Sequence, residues 1–416
     1  MTTLRNDAEQ IIRQSIQAVE PDAAVRRALE GQNFGSGRLV LVAAGKAAWQ
    51  MAKAACEQLG DRIDTGVVIT KYGHVMGPLH RLICLEAGHP LPDENSFRAT
   101  ETALTLVRNL GQGDTVLFLL SGGASALFEK PCIPAEDLID LTEQLLACGA
   151  DIVEMNTIRK RMSMVKGGQF AKLCAPARVL SIVLSDILGD PLDMIASGPA
   201  YPDQSTAAQA VAIAEKYQLR LSDTARALLH RELPKELPGV ETKVTGSVRE
   251  LCAAAAKVCR TLGYEPILLT DALDCQAREA GRFFGAIART QANHGPVAYL
   301  AGGETVVHLT GTGKGGRNQE LALAAAPLLD GLEQVALFSV GSDGTDGPTD
   351  AAGGYVDGST FRKLRDQGVD VNAVLQNNNA YPALEKCGGL IRTGPTGTNV
   401  NDLTVLLIGH TLICPD

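Results

Sequence analysis

The chain has 416 residues, is 45% hydrophobic and 20% charged, and carries a formal net charge of −9. That length suggests about two or three domains with ample core material, and the acidic balance argues against a broad nucleic-acid surface. The ten cysteines include no C-x-x-C pair and do not group with histidine, which argues against a zinc site and reads as reduced thiols in a cytoplasmic protein.

In chain order, Asp7 to Leu29 reads as helix, with Ile11, Ile12, Ile16 and Val19 at helical spacing. The N-terminal stretch Met1 to Val19 is amphipathic, carries Asp7 and Glu9, has no apolar signal core and does not read as a transit peptide. No apolar stretch in the chain is long enough to span a bilayer. The run Leu39 to Ala43 reads as a strand ending at Ala44-Gly45-Lys46, before a helix over Ala47 to Leu59. Lys46 thus falls at a strand-to-helix turn, where open parallel sheets bind ligands; as a bare lysine it reads equally as a surface residue. This is not a Walker A loop, because no Ser or Thr follows Lys46. Strands over Thr65 to Thr70 and Leu82 to Glu86 lead to His74 and His89, which as lone histidines read as structural.

Thr115 to Leu120 reads as another buried strand, followed by Ser121-Gly122-Gly123-Ala124-Ser125. Hydroxyls and free N–H groups at such a turn suit phosphate oxygens, and a serine there also serves as an N-cap. The spacing predicts a helix over Met155 to Phe170, with Asn156, Arg159, Ser163 and Lys166 along one side and Met155, Ile158, Met162 and Val165 as the buried stripe. The polar line holds no acid, so it reads as an anion pocket or as a solvated face. Beyond the strand Val179 to Leu184 come Asp186, Asp190 and Asp193, carboxylates suited either to Mg²⁺ or to turn formation.

The Pro-containing stretch 234–245 marks the domain boundary, giving domains 1–237 and 238–416. In the second domain a strand (Glu241 to Val244), a helix (Ser247 to Leu262), a strand (Pro266 to Thr270) and a helix (Ala277 to Asn293) precede the most distinctive stretch, Gly302 to Glu320. Its glycines Gly311, Gly313, Gly315 and Gly316 would let backbone N–H groups approach an anion, and the helix opened by Arg317 would aim its positive end at the same place. The alternative is a glycine-rich hairpin with a solvated arginine. The strand Val335 to Val340 ends in a second acidic loop containing Asp343 and Asp346, and a final strand runs from Leu403 to Ile408.

Near-continuous apolar strands whose ends carry Lys, Arg, Ser, Gly and Asp describe an α/β protein with largely parallel sheets and a site at their carboxyl edges. Lys46, Arg159, Lys166 and Arg317 supply cations and the acidic loops supply metal candidates, which are the parts phosphoryl transfer needs. No Cys–His pair or G-x-S-x-G elbow suggests acyl transfer.

Several stretches resemble the glycerate 2-kinase family with a C-terminal MOFRL domain. They are Asn156-Thr157-Ile158-Arg159 through Lys166-Gly167-Gly168, Ser185-Asp186 through Asp193 with Ser197-Gly198-Pro199, and Gly302-Gly303-Glu304-Thr305. Gly315-Gly316-Arg317-Asn318-Gln319-Glu320, Gly344 to Gly353 and Gly394 to Asp402 complete the set. The resemblance implies phosphorylation of D-glycerate at its 2-hydroxyl with ATP and Mg²⁺. It further implies a Rossmann-like N-terminal domain, a smaller α/β C-terminal domain, and a site in the cleft between them. It makes Lys46 and Arg317 catalytic. On that basis Ser121, Gly122, Gly123, Ser125, Gly313, Gly315 and Gly316 are expected to hold phosphates, and Asn156, Arg159 and Lys166 to bind substrate. The metal candidates are Asp186, Asp193, Asp343 and Asp346. Partners would be a small hydroxy acid and a nucleotide, with no nucleic acid or membrane; the sequence leaves homo-oligomerisation open.

An NAD(P)H-dependent hydroxypyruvate reductase is the second reading, because Gly311-x-Gly313-x-x-Gly316 fits a dinucleotide fingerprint. The acid expected about twenty residues further on is missing, since position 336 is Ala. A non-catalytic hydroxy-acid-binding protein is the third reading and leaves the acidic loops unexplained.

Overall fold

The computed structural model describes residues 3–409. They form two compact units that interleave in sequence. The N-terminal unit is Pro21–Ser185 with Asp190–Thr245; the C-terminal unit takes the described parts of Met1–Glu20, Asp186–Gly189 and Gly246–Asp416. The sequence boundary after 237 is a single cut, whereas here the first helix belongs with the C-terminal unit.

The helical stretch expected over 7–29 is two helices, Thr3–Ala18 and Pro21–Leu29. Pro21 lacks the N–H needed to continue the first helix but suits the first turn of the second. Ile11, Ile12 and Ile16 of the first helix are buried against Leu251, Ala255 and the C-terminal sheet. At about 1.5–3 kcal/mol per buried aliphatic side chain, this face anchors the helix there.

The N-terminal unit contains β1 (Leu39–Ala44), β2 (Thr65–Lys71), β3 (Leu82–Ala87), β4 (Thr115–Leu120), β5 (Arg178–Leu184) and β6 (Val240–Gly246), in the order β3-β2-β1-β4-β5-β6. The pairs β1–β2, β1–β4, β2–β3 and β4–β5 are parallel. Every residue of β1 and β4 is buried, which explains why these strands read as unbroken apolar runs. This is a doubly wound sheet, and its order reverses between β1 and β4. Helices Pro21–Leu29 and Ala48–Leu59 pack in one core with β1, β4 and β5. Phe118, Phe128 and Phe170 form a separate aromatic group with centroids 4.7–5.5 Å apart.

The helix expected over 155–170 is instead Ile152–Arg161, capped by Asp151, followed by a break and a short helix Gln169–Cys174. Gly167 and Gly168 take φ of +59° and +77°, left-handed values that end a helix. Ser163 bridges to Pro131 within the break.

The C-terminal unit holds β7 (Glu265–Leu273), β8 (Val297–Gly303), β9 (Val335–Gly341), β10 (Gly353–Asp357), β11 (Leu390–Ile391) and β12 (Asp402–Ile408), ordered β11-β10-β9-β12-β8-β7. Only β7–β8 is parallel; β12 lies antiparallel between β8 and β9, so this sheet is mixed. Its register places Asp402 opposite both Gly303 and Gly341, where β8 and β9 end. Helices Ala277–Gln291 and Arg317–Leu329 share one core, and Thr3–Ala18 with Val248–Thr261 share another. No helix among the described residues is long and apolar enough to cross a membrane.

Candidate active site

In the N-terminal unit, the turns after β1 and β4 meet where the strand order reverses. The Lys46 N–H donates to the Gly122 carbonyl at 2.9 Å, and the Ala47 N–H donates to Ser121 Oγ at 3.1 Å. Gly45 has φ +127°, and a Cβ on it would lie 2.2 Å from Ser121 Oγ, so only glycine fits this crossing. Gly123 has φ +85°, and a Cβ there would lie 3.0 Å from the His89 ring and 3.1 Å from Lys46 Cγ. Lys46, Ser121, Gly122 and Gly123 therefore gather at one place, and His89 joins them. Burial, then the Lys46 and Lys71 ammonium groups, hold the His89 imidazole below its usual value. Among the described residues no carboxylate forms an ion pair with Lys46. The helix after this turn is only Ala124–Leu127, too short to lend a phosphate much dipole.

On helix Ile152–Arg161, Asn156 is buried, and its Oδ1 accepts from Ser197 Oγ at 2.9 Å. Ser197 Oγ lies 3.5 Å from Ser125 Oγ, so a polar chain runs from Asn156 to Ser125. Ala196, Ser197 and Gly198 have φ of +52°, +60° and +64°. Consecutive left-handed residues of this kind cost about 1–3 kcal/mol each where they are not glycine, and such strain concentrates at functional sites. The buried Nε of Arg159 has no hydrogen-bond partner.

Lys166 departs from the expected role. It is fully buried, and its Nζ donates to the Ser125 carbonyl at 2.8 Å and to Glu129. Glu129 also accepts from Ser163 Oγ at 2.6 Å. Desolvation pushes the Lys166 ammonium below its usual value, opposed by Glu129. The polar line without acids is thus answered by an acid far away in sequence, and Lys166 supports the Ser125 turn from within. Lys160 is likewise buried, between Asp203 at 3.0 Å and Asp193 at 3.3 Å.

In the C-terminal unit, Arg317 opens helix Arg317–Leu329. Its Nε and Nη2 donate to Asp402 at 2.6 and 3.0 Å, and its Nη1 lies 3.0 Å from Glu304. A guanidinium has five N–H donors, so two remain beyond these three contacts. Burial works against the Arg317 charge, but Asp402 and then Glu304 together raise its pKa, and burial pushes the Asp402 carboxyl up to about 6 against the pull of Arg317. Glu304 also accepts from Asn401 Nδ2 at 3.0 Å.

The glycine segment before this helix departs from the phosphate cradle read from sequence. Asn378 Oδ1 accepts from the Thr310 and Gly311 N–H groups at 2.8 and 2.9 Å. Asn377 takes the Thr312 N–H through its side chain and the Gly313 N–H through its carbonyl, at 3.2 and 2.9 Å. Asn379 Oδ1 takes the Lys314 N–H at 2.9 Å. The helix N-terminus is also occupied: Asp346, buried, accepts from the Asn318 and Gln319 N–H groups at 3.1 and 2.9 Å. A Cβ on Gly313 would fall 2.4 Å from the Asn377 carbonyl oxygen, and one on Gly316 2.3 Å from Asp346 Cγ. These glycines allow close approach to the chain's own polar groups.

Among the described residues no group of three or more His, Cys, Asp or Glu is arranged to hold a metal. Asp346 is spent as a helix cap, Asp193 pairs with Lys160, and Asp343 Oδ1 accepts from the Thr345 N–H at 2.9 Å. The Asp186 carbonyl accepts from Asn401 Nδ2 at 3.3 Å. The sequence reads His89 as structural and offers Asp402 only as the end of the Gly394 to Asp402 family stretch, while Glu129 and the Asn377–Asn379 triplet stand outside every reading of it. Of these last two, the triplet carries a local signal, three consecutive amides ahead of a helix, and Glu129 carries none.

Residues 7–230 match a family described as a domain of unknown function (DUF4147), and residues 297–402 match the MOFRL family. A D-glycerate 2-kinase of Thermotoga maritima is 51% identical over 98% of this chain and 99% of its own. A protein of Agrobacterium vitis whose name carries hydroxypyruvate reductase is 38% identical over 97% of this chain and 95% of its own. The crystal structure of a glycerate kinase from Thermotoga maritima superposes with a TM-score of 0.94, at 51% identity, covering 98% of this chain and 99% of that one. With its two sheets, its MOFRL segment and full-length similarity of this order, the chain belongs to the glycerate 2-kinase family.

Proposed function

We propose that this protein transfers the γ-phosphoryl group of ATP to the 2-hydroxyl of D-glycerate, with Mg²⁺, giving 2-phosphoglycerate and ADP. The observation that carries the reading is Lys46, an ammonium without a carboxylate partner among the described residues, held where the parallel sheet reverses its order. The full-length similarity to a D-glycerate 2-kinase supports it.

In this reaction the 2-hydroxyl oxygen of glycerate forms the new P–O bond and gives up its proton to solvent, while the bond from the γ-phosphorus to the oxygen it shares with the β-phosphate breaks and ADP leaves with that oxygen and its electron pair. Lys46, and Arg317 through its two remaining N–H donors, stabilise negative charge on the transferring group. Arg159 takes the glycerate carboxylate, which its partnerless buried Nε supports. Asn156 and Ser125 position the substrate through Ser197. Mg²⁺ commonly uses only one or two protein carboxylates and lets phosphates and water fill its shell. Asp193, beside its contact with Lys160, and Asp343, beside its contact with the Thr345 N–H, would hold the ion in that mode. The ion supplies charge neutralisation at the phosphates.

The reductase reading has the Agrobacterium relative's name in its favour. Against it, the N–H groups of 310–314 and the following helix N-terminus, the donors a dinucleotide pyrophosphate needs, are already engaged.

The test is ADP formation with D-glycerate, ATP and Mg²⁺, run beside NADH loss with hydroxypyruvate. ADP that requires glycerate, with 2-phosphoglycerate as product, is the expected result. NADH loss without ADP overturns the reading.

A further inference from the structure

The segment 304–316 is a strap fastened along its length. Val306 is held by the Ala277 N–H and the Cys275 carbonyl, and Thr310 to Lys314 are held by the three asparagines. Asn378 also donates to the His308 carbonyl at 3.1 Å and to Glu320 at 3.2 Å, so one buried amide ties the strap to the helix behind it. Beneath the strap lies a cavity of about 800 Å³. Its apolar wall is Leu188, Val306, Leu309 and Pro348, and its polar end is Arg317 with Glu304. Val306 and Leu309 line it and are 54% and 77% exposed.

The cavity chemistry selects among the parts of the substrates. A polyphosphate needs N–H donors and cations. Here the donors of 310–314 are engaged with asparagines, and Glu304 and Glu320 stand in the wall. D-glycerate is small and anionic, whereas a cavity of several hundred Å³ suits a ligand of drug size. A neutral flat heterocycle would lie against Val306, Leu309 and Pro348, and ribose hydroxyls can donate to the Glu304 carboxylate. A wall pinned at this many points is preformed, which lowers the ordering cost of binding.

We propose that this cavity is the subsite for the uncharged nucleoside half of the nucleotide, and that Asn378 is the positioning residue for its wall. The inference rests on the phosphotransfer reading. It is tested with Leu309→Asp and Val306→Asp, changes at exposed positions that the fold tolerates, using steady-state kinetics and calorimetry with adenosine, which has no phosphate. Each variant is expected to raise the KM for ATP at least tenfold with the KM for D-glycerate unchanged. Adenosine is expected to bind the wild-type protein in competition with ATP and to lose binding in Leu309→Asp. An unchanged KM for ATP in both variants, or adenosine competing with D-glycerate, overturns the subsite. If wild-type protein makes no ADP from ATP, the phosphotransfer reading fails, and calorimetry decides the cavity alone: adenosine binding lost in Leu309→Asp upholds it, and no binding to wild type overturns it.

Discussion

The turn at Lys46 and the centre around Arg317 are both glycine-rich strand ends with one prominent cation, and they treat that cation in opposite ways. Around Lys46 the glycines Gly45 and Gly123 bring two backbone turns together and leave the ammonium without a carboxylate partner among the described residues. Around Arg317 the charges are already answered: the guanidinium by Asp402 and Glu304, the helix N-terminus by Asp346, the strap by the asparagines. An open cation gains most from an incoming anion. A cation fixed by carboxylates pays its ordering cost in folding and presents its remaining donors in a set direction. Identical sequence signals, glycines beside a basic residue, thus encode two electrostatic arrangements.

The largest expected effect separates the two by kind. Lys46→Ala and Arg317→Ala should each lower kcat by about two to three orders of magnitude, the scale for removing one preorganised charge-stabilising donor. Lys46→Ala should keep the wild-type melting temperature, because the Lys46 contacts are made by its backbone. Arg317→Ala should melt earlier, because it leaves Asp402 buried without its partner. Wild-type turnover in either variant defeats the assignment.

A buried pair serving neither centre directly gives the next effect. Glu129→Gln leaves the Lys166 ammonium, which is fully buried, without a carboxylate. Breaking one side of such a pair costs about 3–5 kcal/mol, so denaturant unfolding should shift by that order. An unshifted midpoint would show that Lys166 sheds its proton instead.

Asp402 then sharpens the contrast through pH. Its folded pKa of about 6 lies above the usual 3.8, so folding takes up a proton between those values. Its contribution to stability is therefore greatest below 3.8 and is lost as pH rises through about 6. Catalysis should run the other way, because the ionised carboxylate orients Arg317. We expect kcat to fall on the acid side of about pH 6 in the wild type, and Asp402→Asn to be lower throughout with that limb removed. A limb retained in Asp402→Asn would assign it to another group.

The smallest effect is at the open turn. Ser121→Ala deletes the acceptor of the Ala47 N–H and should cost about 1 kcal/mol in unfolding free energy. A change within about 0.3 kcal/mol would mean that water replaces the hydroxyl without loss.

Much of the architecture was legible in the chain. The strands around Leu39–Ala44, Thr115–Leu120 and Arg178–Leu184 read as apolar runs because both of their faces are covered. The Lys46 and Ser121–Gly123 turns were visible as strand ends, and their meeting follows from the order of strands, which no local pattern states. The spacing predicts too long a helix over 155–170 because the apolar period continues through Met162 and Val165, while the paired glycines after Lys166 turn the backbone left-handed. Lys166 looked unpaired because its partner Glu129 lies 37 positions earlier in the chain. β10 and β11 leave no apolar run long enough to read, because they are short, β10 begins with two glycines and β11 follows two more.

Periodicity, apolar runs and turn residues are properties of neighbours along the chain. By itself the sequence therefore determined the α/β class, most strands and helices, the turns that carry Lys46 and Arg317, and the family resemblance. Which strand lies beside which is decided by burial of whole faces, and only the tertiary structure set it. That assembly brought Asp402 to the ends of β8 and β9, Asn377–Asn379 to the strap, and Glu129 to Lys166. Electrostatic energy depends on separation in space, so the charge state of each centre could not be read from separation in sequence.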